Sequence, residues 1–281
     1  MKIGIHSWVL ETKYKLPKAI SRAAEIGYDG YEVDIGNFGG TGLGLQILPD
    51  RMSDENRLEI KNARDQAGIE ICSLCLGALW HYPLAGNDET YRLRGVEITR
   101  AAIDLAYYLG ADGILLPLGQ PEGVSLEEAW KNTSRSLEAC LDIAESKNIT
   151  LALENVCSKF LLTAGDLARM VETIGSSWLK VYYDVANNAW LGIDPAAEIR
   201  ELGSKIYRIH FKNRSSLRGT PGSTTNSVGS PGIIDFDSVS RAIKDINYDG
   251  YIVVEVPTLE MDGDLIAEQN LKGIRKLMSM E

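Results

Sequence analysis

The sequence predicts a single (β/α)8 barrel, an α/β fold of the TIM-barrel type, on three observations. Eight short runs rich in Val, Ile and Leu alternate with longer stretches of helical period. No compositional break divides the 281 residues, and barrels of this kind reach that length as one unit. The glycine fingerprint that an open doubly wound sheet needs after an early strand is missing: NFGGTGLGL (37–45) lacks the G-x-G-x-x-G spacing. Residues 1–281 are therefore expected to form one domain.

The expected strands, in order, are KIGIHSW (2–8), GYEVDI (30–35), EICSLCLG (70–77) and GILLPL (113–118), then TLALEN (150–155), LKVYYDV (179–185), IYRIHFKN (206–213) and YIVVEV (251–256). Between them, LPKAISRAAEIG, TYRLRGVEITRAAIDLAYYLG and SLEEAWKNTSRSLEACLDIAESKN repeat apolar residues at steps of three and four, and DLIAEQNLKGIRKLM follows the eighth strand. One connection is long. From about 214 to 233 the chain is packed with Gly, Ser, Thr and Pro, and after a seventh strand it is expected to form a lid or mobile loop over the catalytic face.

The charge balance, 29 Lys and Arg against 39 Asp and Glu, gives −10 and disfavours a nucleic-acid partner. No apolar run reaches the roughly 20 residues of a membrane helix, and MKIGIHSWVLETKYK reads as a first strand, not a signal peptide. Four cysteines make no disulfide framework, so the expected location is cytoplasmic. Cys72 and Cys75 are three apart, an offset that puts them on opposite faces of a regular strand, so neither a zinc knuckle nor a redox dithiol is expected.

In such a barrel, active sites form where the strands end. Glu154, Asp184, His210 and Glu255 fall four or five residues into the last four runs, at a common height. Alternation turns Leu151 and Leu153, Val181 and Tyr183, Tyr207 and Ile209, and Ile252 and Val254 toward the helices, so the four polar groups point inward together. Singly, a strand-end His is usually a hydrogen-bonded core group, and a strand-end carboxylate an ion-pair or capping group. Three carboxylates crowded inside a barrel repel one another unless a cation holds them. A divalent metal is expected, and the oxygen-rich set favours Mn2+, with Mg2+, Co2+ or Zn2+ compatible.

These motifs resemble the xylose isomerase-like barrels, which include sugar and sugar-phosphate isomerases and epimerases. The pieces that carry the resemblance are GYDGYEV, LALENV, VYYDVANNAW, IHFKNR and IDF…YDGYIVVE, in the family's order over most of the chain. The resemblance implies a metal held by Glu154, Asp184, His210 and Glu255. The sequence departs from the family where many members carry a histidine three residues after the Asp; Asn187 stands there, and the glycine-rich stretch before the seventh helix reads GSPGIIDF. Three histidines in all argue against the histidine-rich, trinuclear endonuclease IV-like branch.

The expected reaction is an aldose–ketose isomerisation or ketose 3-epimerisation through an enediolate, with Glu154 and Glu255 as acid and base. The alternative is a lyase that expels water from a keto-inositol or a group from a 3-keto sugar through the same enolate; a non-catalytic sugar-binding barrel would have no need of clustered carboxylates. The expected partner is a small carbohydrate, with no nucleic acid and no membrane, and a homo-oligomer is compatible, as dimers and tetramers are common in the family. Trp8, Trp80, His81 and Trp190 follow strands one, three and six, where rings can pack on a sugar or simply on the rim. Lys212 is expected to reach substrate oxygens, Arg214 and Arg218 a phosphate, and Asn187 the substrate; Arg208 and Glu32 are expected to pair deep in the barrel.

Overall fold

The computed structural model describes residues 1–37, 44–215, 225–228, 230–257 and 262–279, with the backbone alone at Trp190, Thr225 and Asn226. Eight parallel strands close into a barrel: β1 (Lys2–His6), β2 (Gly30–Asp34), β3 (Glu70–Cys75), β4 (Gly113–Pro117), β5 (Thr150–Glu154), β6 (Leu179–Asp184), β7 (Ile206–Phe211) and β8 (Tyr251–Val254). Each neighbours the next, and β8 pairs with β1. Among the described residues a helix of eight or more residues follows each strand: α1 (Leu16–Ile26), α2 (Asp54–Ala67), α3 (Glu89–Leu109), α4 (Leu126–Lys147), α5 (Ala164–Ile174), α6 (Pro195–Leu202), α7 (Phe236–Asp245) and α8 (Gly263–Met278). None of the described helices is long and apolar enough to cross a membrane.

Local chemistry sets these boundaries. Ser125 opens α4 with a reciprocal cap: its hydroxyl accepts from the Glu128 N–H, and the Glu128 carboxylate accepts from the Ser125 N–H. Asn148 ends the same helix in the left-handed region, at φ 57°. Each strand ends one or two residues before the apolar run that predicts it.

Alternation sorts the strand residues into two cores. Leu151, Leu153, Val181, Tyr183, Ile252 and Val254 pack outward with the helices, while Ala152, Tyr182, Val253 and Leu115 fill the barrel. Truncating a fully buried leucine such as Leu153 to alanine should cost about 2–5 kcal/mol.

Two irregularities overturn expectations drawn from simple alternation. In β3, Tyr31 pairs with Ile71 but Glu32 with Ser73, so Cys72 is an extra residue. That bulge resets the parity, and Cys72 and Cys75 both belong to the inner core, not to opposite faces. Both are free thiols, and burial pushes Cys72 up to about 12. In β7, Tyr207 is the extra residue between partners of Val181 and Tyr182, and it packs on the inner core, not on the helices. Gly113 makes room for it: a Cβ there would lie 2.3 Å from the Tyr207 hydroxyl oxygen.

Arg208 does not pair with Glu32. Its guanidinium lies between the rings of Tyr207 and Tyr251, 4.3 and 4.8 Å from their centroids, and donates to Asp112 at the barrel floor. Arg208 sits one inward step below His210, and it is His210 that reaches Glu32.

The described parts of the long connection are held in place. Asn213–Arg214 pairs antiparallel with Thr225–Asn226, and the Val228 N–H donates to Asn270 on α8 at 2.7 Å. Asn213 donates to the Ser230 carbonyl, also at 2.7 Å. Residues 216–224, with Arg218, lie outside the described residues.

Candidate functional site

β5 to β8 bring Glu154, Asp184, His210 and Glu255 together, each offering a ligand atom within 4.8 Å of the others, and all four are buried. His210 Nδ1 faces the three carboxylates, 3.4 Å from Glu154 Oε1, 3.5 Å from Glu255 Oε2 and 3.8 Å from Asp184 Oδ2. The other ring nitrogen, Nε2, lies 2.7 Å from Glu32 Oε2. Glu32 also accepts from Ser73 and from Tyr182, whose ring lies under His210. A carboxylate behind the imidazole fixes the tautomer with Nε2–H, which leaves the Nδ1 lone pair for a cation. Glu32 is therefore a site residue that reasoning on the sequence had assigned elsewhere. Its inward parity was legible, but its partner was not.

Asp184 is set by its own turn. Oδ1 accepts from the Ala186 and Asn187 N–H groups, both at 2.7 Å, and the Asn155 side chain bonds both backbone groups of Asp184. Oδ2 is buried, 2.7 Å from Lys212 Nζ, with no directed hydrogen bond. Lys212, just past the end of β7, reaches both Asp184 and Glu255, and Asn187 donates to Glu154 at 3.3 Å. Arg214 Nη1 lies 3.4 Å from Cys157 Sγ and 3.5 Å from the Asn187 carbonyl, so it extends the cluster toward the rim.

The electrostatics show a site short of positive charge. Burial pushes the Glu154 carboxyl up to about 7, helped by Glu255 and Asp184. Burial also raises Glu255, but Lys212 and His210 more than offset it and hold that carboxyl low. His210 is raised well above its usual value, against burial, by Glu255 and Glu32. An Asp184 oxygen that faces only the Lys212 ammonium, two further carboxylates and a correctly turned imidazole suit a divalent ion, and these four residues would hold it.

Of the aromatic candidates, Trp8 joins the mouth by donating from Nε1 to Asp34 Oδ2 at 2.6 Å. His81 is exposed and packs edge-on to Tyr82 and Tyr91, at 4.7 and 6.1 Å between centroids. Trp80 is 56% exposed and lies across Gly119. The side chain of Trp190 is outside the described atoms.

Residues 20–277 match the profile of the family described as xylose isomerase-like TIM barrel. The chain belongs to that family. Among its relatives, L-ribulose-5-phosphate 3-epimerase UlaE of Escherichia coli K12 is 26% identical over 258 residues, which cover 90% of this chain and 86% of the relative. D-psicose 3-epimerase from Clostridium cellulolyticum H10, solved with D-tagatose, superposes with a TM-score of 0.79 at 18% identity, covering 99% of both chains. The IOLI protein, solved with a binding zinc atom, gives 0.82 at 18% identity, over 99% of this chain and 98% of that one. At such identities the two structures speak for the fold.

Proposed function

We propose that this xylose isomerase-like barrel is a divalent-metal-dependent ketose 3-epimerase acting on a ketopentose or its 5-phosphate, with Mn2+ the preferred ion. One observation carries the reading: Glu154 and Glu255, on different walls of the barrel, approach the same Nδ1 atom of His210 at 3.4 and 3.5 Å. Two carboxylates that reach one centre from different strands can serve as the acid and base that inversion at a carbon next to a carbonyl requires. The curated relative named an L-ribulose-5-phosphate 3-epimerase supports the substrate class.

When bound, the ion would draw electron density from the substrate carbonyl and its neighbouring hydroxyl and so acidify the C3–H bond. One glutamate takes the C3 proton, leaving the electron pair in an enediolate of the sugar. The other gives a proton to the opposite face of C3, which inverts the centre. Each turnover leaves one glutamate a proton richer and the other a proton poorer, and exchange with water resets them. Lys212, beside Glu255, assists by holding that carboxylate ionised and ready to accept. Asn187 and Arg214 orient the substrate from the rim, and Trp8 closes the mouth at β1 and β2, beside Asp34.

The test is incubation with L-ribulose 5-phosphate and with L-ribulose in heavy water, reading deuterium at C3 and product mass. Uptake at unchanged product mass, apart from the deuterium, and its loss in Glu154→Gln and Glu255→Gln with metal content retained, is the expected result. Product lighter by one water would establish the lyase instead, and full exchange in both variants would remove the glutamates from the chemistry.

A further inference from the structure

Across the mouth from the metal quartet, β1, β2 and β3 end in His6, Asp34 and Cys75, which offer ligand atoms within 4.8 Å of one another. The trio has the composition of a second metal site, but the hydrogen bonding of His6 argues against it. His6 Nδ1 accepts from the Trp8 N–H at 3.1 Å, so in the neutral ring the proton is on Nε2. A nitrogen that carries a proton is a donor and cannot ligate a cation. Burial holds His6 neutral, with its pKa lowered to about 4.

His6 Nε2 is buried and has no hydrogen-bond partner among the described residues; the nearest carboxylate oxygen, on Glu32, is 3.8 Å away. Asp34 is its complement. Oδ2 accepts from Trp8 Nε1 at 2.6 Å and Asn37 Nδ2 at 2.8 Å, while Oδ1 is buried and has no donor among the described residues. Burial pushes this carboxyl up to about 7, against the two donors it has. Gly77 keeps the space beside Oδ1 open, since a Cβ there would lie 2.7 Å from that oxygen. An unpaired donor and an unpaired acceptor, on two residues that bring ligand atoms within 4.8 Å of each other, are costly in a protein interior unless something completes them. Both residues are as buried as the quartet, and the rings of His6 and His210 are 5.9 Å apart.

We propose that His6 and Asp34 are specificity-determining residues that bind one sugar hydroxyl, which accepts from His6 Nε2–H and donates to Asp34 Oδ1. The proposal rests on the reading of the quartet as a sugar site only for its location; its chemistry is set by the two orphaned atoms. A hydroxyl is the group that fills both roles at once, whereas a carbonyl would leave Asp34 unpaired and a methyl group would leave both. The pair would therefore select a hydroxylated carbon near the reacting centre over its deoxy counterpart.

The experiment uses the full-length protein loaded with Mg2+, a diamagnetic ion that leaves the His6 signal sharp, and labelled with 15N-histidine, titrated with L-ribulose. Three histidines make the spectrum assignable. The His6 Nε2–H signal should shift on saturation, with Nδ1 remaining an acceptor. Asp34→Asn puts a donor where the hydroxyl needs an acceptor. It should weaken L-ribulose binding about tenfold while metal content and melting temperature hold. Sugar binding that leaves the His6 signal unmoved, or an Asp34→Asn variant that binds as tightly as wild type, would overturn the proposal. Deuterium uptake at C3 run in parallel separates the two readings. Exchange without a His6 shift sinks the hydroxyl pair alone, a shift without exchange sinks the epimerase alone, and the absence of both sinks the two together.

Discussion

Replacing Glu32 with Gln removes one charge from behind His210 and little volume, and its cost follows from the structure. Burial raises the Glu32 carboxyl, but His210, His6 and Ser73 more than reverse this and bring it from 4.5 to about 2. At 1.36 kcal/mol per pH unit, the folded protein favours the ionised form by about 3 kcal/mol. The folded value is the lower one, so this stabilisation is fully present above about pH 4.5 and fades as the pH falls toward 2. A glutamine cannot ionise and lacks it at every pH. With an unfolding entropy of roughly 2.1 cal/mol/K per residue, a chain of 281 residues has about 0.6 kcal/mol/K, so the variant should melt about 5 °C lower at pH 7. At pH 3 the gap should shrink to about half. Calorimetric scans of both chelated proteins at the two pH values measure it, and a gap equal at pH 7 and pH 3 would show that charge has no part in it. The same variant should bind Mn2+ about 10- to 100-fold more weakly, because the imidazole loses the carboxylate that orients it.

Three further outcomes follow from the packing and the charges. Lys212→Met removes the ammonium that lies on Asp184 and Glu255, so the chelated protein should melt lower and divalent metal should raise its melting temperature by more than in wild type; an unchanged span would show that Lys212 does not stand in for positive charge. Gly113→Ala forces a methyl group onto the hydroxyl and ring edge of Tyr207 and should cost about 1–3 kcal/mol in urea unfolding, and an unchanged midpoint would show that the ring does not depend on that space. Tyr183→Phe strands the buried Glu198 carboxylate, which accepts from the tyrosine hydroxyl at 2.7 Å, and should cost about 1–3 kcal/mol with no change in metal binding.

The barrel and the wall that carries the Glu–Asp–His–Glu quartet were legible because both depend on short-range periodicity. Eight apolar runs spaced by helical stretches specify the architecture, and a period of two decides which side of a strand a residue occupies. That is enough to align Glu154, Asp184, His210 and Glu255 without knowing how the barrel closes. The same rule, applied to β1 and β2, places His6, Glu32 and Asp34 inward, and it could have flagged them. What the period cannot carry is an inserted residue or a distance across the barrel. The bulges at Cys72 and Tyr207 each reset the parity by one, and no feature of EICSLCLG or IYRIHFKN announces them. Strand-to-strand stagger then decided that Glu32 meets His210 and that Arg208 meets the exposed Asp112 instead, although Glu32, Arg208 and His210 all point inward. Sequence by itself determined which side chains of the regular strands enter the barrel. Tertiary structure alone decided which of them touch, because contact across a closed barrel depends on the relative heights of strands far apart in the chain.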